Sequence, residues 1–226
     1  MERETLYAIE WPGEGDEGET LRVIEPTPDE VETAAARLAA FYNEPYNRGM
    51  MANEGEMTAR DVVDYYREFR ASGGRPFLLE RDGVLMGDAD LRHIDGPTAE
   101  FAILVGVRAA QGSGLGTRFA LMVHALASGA LGIERMYSSV IPLNRPSLRM
   151  LEKIGYLPDD GPEARARADE ATDVTVSFDF ARFAELHAAV LPRLRITGRG
   201  ATPPPRRVNG DPPLVADGNP PAPRER

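Results

Sequence analysis

The 226-residue chain predicts a mixed α/β fold: one mixed sheet with helices on both of its faces, spanning residues 1–196. Three observations predict it. Two helical segments with capping signals precede a region whose apolar period shortens from 3.6 to 2. The turns Asp82-Gly83 and Asp95-Gly96-Pro97 then separate three consecutive strand-like runs. Last, a glycine-rich stretch lies between a strand and an amphipathic helix. Hydrophobic residues make up 42% of the chain, enough for a continuous core in one domain with additions.

Taken in order, the segment up to Thr20 is rich in Gly and Glu and reads as loop or a short hairpin. Leu21-Arg22-Val23-Ile24 is a strand. Thr27-Pro28-Asp29-Glu30 places a capping threonine, a proline at the first helical position and a glutamate three residues on. With Val31, Ala35, Leu38 and Tyr42 at helical spacing, that helix runs to about Phe41. Thr58 opens a second helix, with Val62, Tyr66 and Phe69 on its buried face and Ser72-Gly73-Gly74 as its stop. Strands follow at residues 77–80, 84–91 and 99–105. Leu115, Phe119, Met122 and Leu126 mark the next helix, and residues 135–140 the next strand. A short helix over residues 147–153 is closed by Gly155. A strand at 174–180 and a terminal helix at 181–191 complete the domain. From Thr197 onward, Pro203-Pro204-Pro205, Pro212-Pro213 and Pro220-Pro221 dominate, and few large apolar side chains remain to offset ordering entropy. This tail, residues 197–226, is predicted to be disordered.

Charge and composition narrow the function. Formal net charge is −10, with residues 1–196 at −12 and the tail at +2, the opposite of a phosphate-neutralising surface, so no nucleic-acid partner is expected. The acidity suits a cationic substrate as well as mere solubility. No apolar run approaches a membrane span, and Met1-Glu2-Arg3-Glu4 does not begin a secretory signal. With no cysteine there is no disulfide, thiolate metal site or cysteine nucleophile, and the cytoplasm is the expected compartment. His93, His124 and His187 lack metal-ligand spacing, so no metal is expected.

The segment with chemical content is Gln111-Gly112-Ser113-Gly114-Leu115-Gly116-Thr117. Its glycines let a ligand approach main-chain N–H groups, and the following helix adds its positive N-terminal dipole, a setting for a diphosphate. A dinucleotide fingerprint fails because its third glycine falls on Thr117. A P-loop fails because Thr117-Arg118 replaces Lys-Ser/Thr.

Gln111-x-x-Gly114-x-Gly116 resembles the pyrophosphate loop of the GNAT acyltransferases, and Phe101-Ala-Ile-Leu-Val-Gly-Val107 resembles their splayed fourth strand. Asn144-Arg-Pro-Ser147-Leu-Arg-Met-Leu151-Glu-Lys153-Ile-Gly155-Tyr156 is similar to their second block, in the form found in ribosomal-protein-type N-terminal acetyltransferases. The similarity is strongest over residues 75–160.

The resemblance implies a mostly antiparallel sheet with one splayed strand pair, and acetyl-CoA as co-substrate. It implies main-chain amides of Gln111, Gly112, Ser113, Gly114, Leu115, Gly116 and Thr117 around the pyrophosphate. Main-chain groups of Val105 and Val107 would pair with the pantetheine arm, with Gly106 at a bulge between them. Asn144 would bond the pantetheine or the incoming amide, or else cap the next helix. Glu100, in Ala99-Glu100-Phe101, is the candidate base, with Asp90 and His93 as second choices on opposite faces of their strand. Leu151 stands where many members carry a tyrosine general acid. Ser147 is the candidate for orienting or protonating the thiolate, or a helix cap. Tyr156 is read as packing and His124 as structural or superficial. The acceptor is a small-molecule or peptide amine, with a non-catalytic acyl-CoA sensor as the alternative. The chain leaves open whether a homodimer forms.

Overall fold

In a computed structural model, residues 5–13, 18–51 and 55–199 are described, and they form a nine-stranded sheet flanked by helices. In chain order the elements are β1 (Leu6–Trp11), β2 (Leu21–Ile24), α1 (Pro28–Asn43), α2 (Pro45–Met50), α3 (Ala59–Ala71) and β3 (Arg75–Arg81). Next come β4 (Val84–Asp95), β5 (Thr98–Val105), α4 (Leu115–Leu131), β6 (Arg135–Val140) and α5 (Arg145–Ile154). The last elements among the described residues are β7 (Leu157–Pro158), α6 (Pro162–Arg165), β8 (Val174–Asp179), α7 (Phe183–Leu186) and β9 (Arg195–Arg199). The strands lie in the order β7-β8-β6-β5-β4-β3-β2-β1-β9. Every neighbouring pair is antiparallel except β5 with β6.

The capping signals behave as read. Thr27 Oγ1 accepts from the Glu30 amide at 3.3 Å while the Thr27 amide donates to Glu30 at 2.8 Å. Thr58 and Asp61 form the same reciprocal pair at the start of α3. Helices cover both faces of the sheet. On one side, Val31, Ala35 and Leu38 of α1 and Val62 and Tyr66 of α3 pack on Ile24 and Leu78. On the other, Leu115, Phe119, Met122 and Leu126 of α4 join Phe77, Leu79, Leu91 and Phe101.

Four readings need correction. The segment before Thr20 contributes a full strand, because β1 aligns Ala8, Ile9, Glu10 and Trp11 with β2. The expected disordered tail begins too early: Thr197, Gly198 and Arg199 continue β9 against β1, and the Arg199 guanidinium reaches Glu30 of α1 and the Glu25 carbonyl. Residues 200–226 lie outside the described residues. The expected terminal helix at 181–191 is broken into short turns around α7. Phe180 and Phe183 are drawn instead into an aromatic cluster with Phe178 and His124, a tertiary demand that overrides helical spacing. Finally, α2 follows α1 after a single residue, where no element was expected.

A buried ion pair ties the neighbouring strands β2 and β3 together at one end. Glu25 is 1% exposed; its carboxylate takes two hydrogen bonds of 2.7 Å from Arg75 and one of 2.8 Å from the Tyr7 amide. Breaking such a pair from one side strands a buried charge, so Arg75→Met is expected to lower unfolding free energy by ~3–5 kcal/mol. Urea denaturation checks this, and adding Glu25→Gln should recover most of the loss.

Candidate active site

The parallel pair β5–β6 is in register only at Thr98↔Arg135, Ala99↔Met136 and Glu100↔Tyr137. Beyond that point the strands diverge, and the Ser138 hydroxyl bonds the Phe101 carbonyl at 2.9 Å near the apex of the wedge. A cavity of about 570 Å³ occupies the opening. Residues 101–104, residues 138–141, and Ser147, Met150 and Leu151 of α5 line it, with Tyr42, Met50 and Met51 from the other side.

At the end of β5 the amides of Gly106 and Val107 both donate to the Met86 carbonyl, at 2.8 and 3.3 Å, which makes a bulge. Glycine is required there by close approach, because a Cβ on Gly106 would sit 2.1 Å from the Phe41 ring. The expected pairing role of Val107 is not what this geometry favours, since its amide is bonded to Met86 and its carbonyl accepts from Ala110 at 2.9 Å. Val105 lies past the last β5–β6 pair, so no strand covers its β6 side. Its carbonyl accepts from the Gln111 side chain at 2.8 Å. That side chain also donates to Asn47 of α2 at 2.8 Å, and Asn47 donates to the Gly106 and Phe41 carbonyls at 3.0 Å. The unforeseen α2 thus ties the bulge to the glycine loop.

Gly112 and Gly114 adopt φ of +78° and +86°, the left-handed region that glycine tolerates. The first amide of α4 to find a helical acceptor is Arg118, on Gly114 at 3.1 Å. The amides of Gly112, Ser113, Gly114, Leu115, Gly116 and Thr117 have no acceptor among the described residues, whereas that of Gln111 donates to Arg108 at 3.2 Å. A Cβ at Gly112 or Gly114 would meet nothing within 4 Å, so the surface over these amides is open. A run of convergent N–H donors at the start of a 17-residue helix fits a diphosphate group in charge and in donor count. Gln111 braces this cradle through its side chain.

Alternation along β4 and β5 puts Asp88, Asp90, Arg92 and Glu100 on the sheet face covered by α1 and α3. Glu100 is 4% exposed and lines the cavity. Burial raises its carboxyl above the ordinary range, although His93 and Arg92 oppose the shift. His93 was expected to point away from Asp90. Its φ of +48° and the register shift after Arg92 break the alternation, and Nδ1 lies 2.7 Å from Glu100. Asp90 lines the cavity too, but both its oxygens are held by Arg92 at 2.8 and 2.7 Å.

Asn144 caps α5: its Oδ1 accepts from the Ser147 amide at 3.1 Å, and its Nδ2 donates to the Met50 carbonyl at 3.1 Å. Of its two expected roles, the capping one accounts for these contacts. Ser147 and Leu151 both line the cavity, so an apolar side chain faces it where a tyrosine was looked for. Tyr156 is buried as expected and bonds His124 at 2.8 Å. His124 is fully buried, with Nδ1–H on the Ala120 carbonyl, and burial pushes its imidazole down to about 4. Arg118, in the first turn of α4, pairs with Glu19.

The residue that sequence reasoning missed is Asp88. Tyr42 and Tyr66 both donate to its Oδ2, the latter at 2.9 Å, and burial lifts its carboxyl to about 6 against those two hydrogen bonds. An available signal was Gly87-Asp88-Ala89-Asp90, which puts two acids on one face of a strand otherwise built for burial. Among the described residues no cluster of His, Asp and Glu is arranged to hold a metal ion, and no helix is long and apolar enough to cross a membrane.

A wedge between two parallel strands, a bulge and a donor-lined loop together define a CoA-dependent acyltransferase architecture. Residues 20–157 match the acetyltransferase (GNAT) domain family, and the chain belongs to it. It is 30% identical over 141 residues to the mycothiol acetyltransferase of Thermomonospora curvata, which covers 62% of this chain and 44% of that protein. The chain therefore spans less than half the length of that relative. Among solved structures, Mycobacterium smegmatis RimJ in complex with CoA-disulfide aligns over 84% of this chain and 96% of its own, with TM-score 0.62 and 17% identity. The aminoglycoside acetyltransferase AAC(6')-Ib in complex with coenzyme A aligns over 74% and 98%, with TM-score 0.60 and 17% identity. At that identity the two structures speak for the fold alone.

Proposed function

We propose that this domain moves the acetyl group of acetyl-CoA onto a primary amine by direct attack within a ternary complex. The observation that carries this reading is the wedge itself. The cradle of amides lies beyond one end of β5, an uncovered strand edge follows at Val105, and an acidic cavity occupies the opening.

Each part has a task. Amides of residues 112–117 hold the diphosphate, and Val105 pairs with the pantetheine arm as an added strand would. A backbone N–H near Val105 is the donor for the oxyanion that develops at the thioester carbonyl, a role worth ~2.7–4 kcal/mol in comparable sites. Glu100 takes the proton of the attacking amine, directly or through water, and its raised affinity for protons suits that task. Ser147 at the cavity rim orients or protonates the departing thiolate. Because the chain has no cysteine, no cysteinyl intermediate forms on it.

The cavity brings Glu56, Asp88, Asp90, Glu100, Asp169 and Asp173 together with a single guanidinium, that of Arg92. That balance favours a cationic amine: an aminoglycoside, as for one structural relative, a polyamine, or a peptide N-terminus. The last is favoured by the second sequence block, with its ribosomal-protein-type form. One observation favours a second reading, a sensor that binds acyl-CoA without turnover: Leu151 faces the cavity where a tyrosine acid is common.

Calorimetry with acetyl-CoA, followed by thiol release on kanamycin, spermidine and an alanyl peptide, separates the two. Binding with amine-dependent thiol release is expected. Binding without release on any amine favours the sensor, and no binding ends both.

A further inference from the structure

We propose that Asp88, gripped by the hydroxyls of Tyr42 and Tyr66, is the group that takes hold of the substrate ammonium at the reacting end of the cavity. The inference deepens the amine-acetyltransferase reading and rests on it.

The first argument is what Asp88 lacks. Its Oδ2 receives both tyrosine hydroxyls, while its Oδ1 is buried with no hydrogen-bond partner among the described residues. A buried carboxylate oxygen without a donor is costly, and such oxygens are rare outside functional sites. An incoming N–H⁺ supplies the missing donor. The neighbouring acids are not placed to do so: Asp90 is doubly bonded to Arg92, and Glu100 is bonded to His93.

Position is the second argument. Asp88 is paired with Leu104, one register step from Val105, beside which the proposed oxyanion donor lies. Glu100 pairs with Arg92, four residues further along β4, or ~13 Å at the rise of a strand. Of the cavity acids on β4 and β5, Asp88 is therefore the nearest to the bulge. Glu100 receives the proton afterwards along a chain of waters, because ~13 Å is too far for direct transfer or a single water.

The third argument is how the carboxylate is held. Tyr42 comes from α1 and Tyr66 from α3, and both hydroxyls are buried, so two separate helices fix the orientation of one carboxylate. Charged and titratable groups facing it are Tyr42 of α1, Tyr65 and Tyr66 of α3, and Asp90 and Arg92 of β4, with Glu100 beyond on β5. Burial raises the Asp88 carboxyl to about 6, and the two tyrosine hydrogen bonds work against that rise. At neutral pH it is ionised and ready for a cation. Below about 6 it becomes neutral and should release one.

The test measures spermidine binding to the CoA-saturated protein by calorimetry between pH 5 and 8, beside thiol release. In the wild type, affinity should weaken as pH falls through about 6. In Asp88→Asn, Kd should rise at least ~10-fold at neutral pH, as expected on losing a charged hydrogen bond, and its pH dependence should flatten. CoA affinity should be unchanged, which also reports that the variant folds. Glu100→Gln should keep the pH dependence of binding while losing kcat. Tyr66→Phe removes one hydrogen bond that favours the ionised form, so the midpoint should move to higher pH.

Wild-type affinity and pH dependence in Asp88→Asn would overturn the assignment. So would an unmoved midpoint in Tyr66→Phe, should Asp88→Asn fail to fold. Amine binding without thiol release in the wild type removes the catalytic reading but keeps Asp88 as the cation site. If neither spermidine, kanamycin nor an alanyl peptide binds, the assignment is overturned as well.

Discussion

Gly114→Glu is expected to abolish acetyl-CoA binding, with Kd raised by more than ~1000-fold, about 4 kcal/mol. Two effects combine. Gly114 has φ of +86°, and a residue with a Cβ is strained there by ~1–2 kcal/mol, so the loop tends to leave the cradle geometry. The new carboxylate also stands among the amides that would meet a diphosphate, bringing like charge to the spot where the helix dipole favours an anion. Gly114→Ala isolates the first effect and should cost only about tenfold in Kd, the middle of that strain. Because a Cβ at Gly114 meets nothing within 4 Å, neither variant should disturb packing, and thermal unfolding should show both folded. Wild-type affinity in Gly114→Glu would place the phosphates elsewhere.

Glu100→Gln should lower kcat/KM by ~10²–10⁴ at neutral pH, the usual worth of a positioned base. The deficit should shrink as pH approaches the amine's own pKa, ~10.4 for a lysine-like amine, because the nucleophile is then already deprotonated. The acid side carries a second signature. A base must be ionised to act, and burial holds the Glu100 carboxyl above its ordinary 4.5. The wild-type rate should therefore fall at a higher pH than an exposed glutamate would dictate. The hydrogen bond from His93 works against that rise, so His93→Ala should push the acidic limb further up. A pH–rate profile identical in Glu100→Gln and wild type would remove Glu100 from the base role.

The fold and the geometry of the glycine loop were legible because their causes are local. Capping at Thr27 and Thr58, the Asp82-Gly83 turn and the glycines of residues 112–116 act over a few residues each, and each stands where its spacing indicated. Gly106 was legible as a bulge for the same reason, although the Phe41 ring that forbids a Cβ there comes from a distant helix. The readings that failed depended on partners far away in the chain. The strand β9 exists because β1 offers it an edge, so a proline-rich composition just downstream was misleading about Thr197, Gly198 and Arg199. His93 could not be placed by alternation, since only the irregular end of β4 turns it toward Glu100.

By itself, then, the chain determined its periodicities, its turns and the run of main-chain donors ahead of α4, because hydrophobic spacing and backbone conformational preference are properties of neighbouring residues. Tertiary structure alone decided which acids share a cavity. Asp88 meets Tyr42 across 46 residues and Tyr66 across 22, and no short-range pattern marks two phenols and a carboxylate as one group. Their meeting depends on how α1 and α3 dock on β4, where burying apolar surface sets the helix positions and the polar contacts follow.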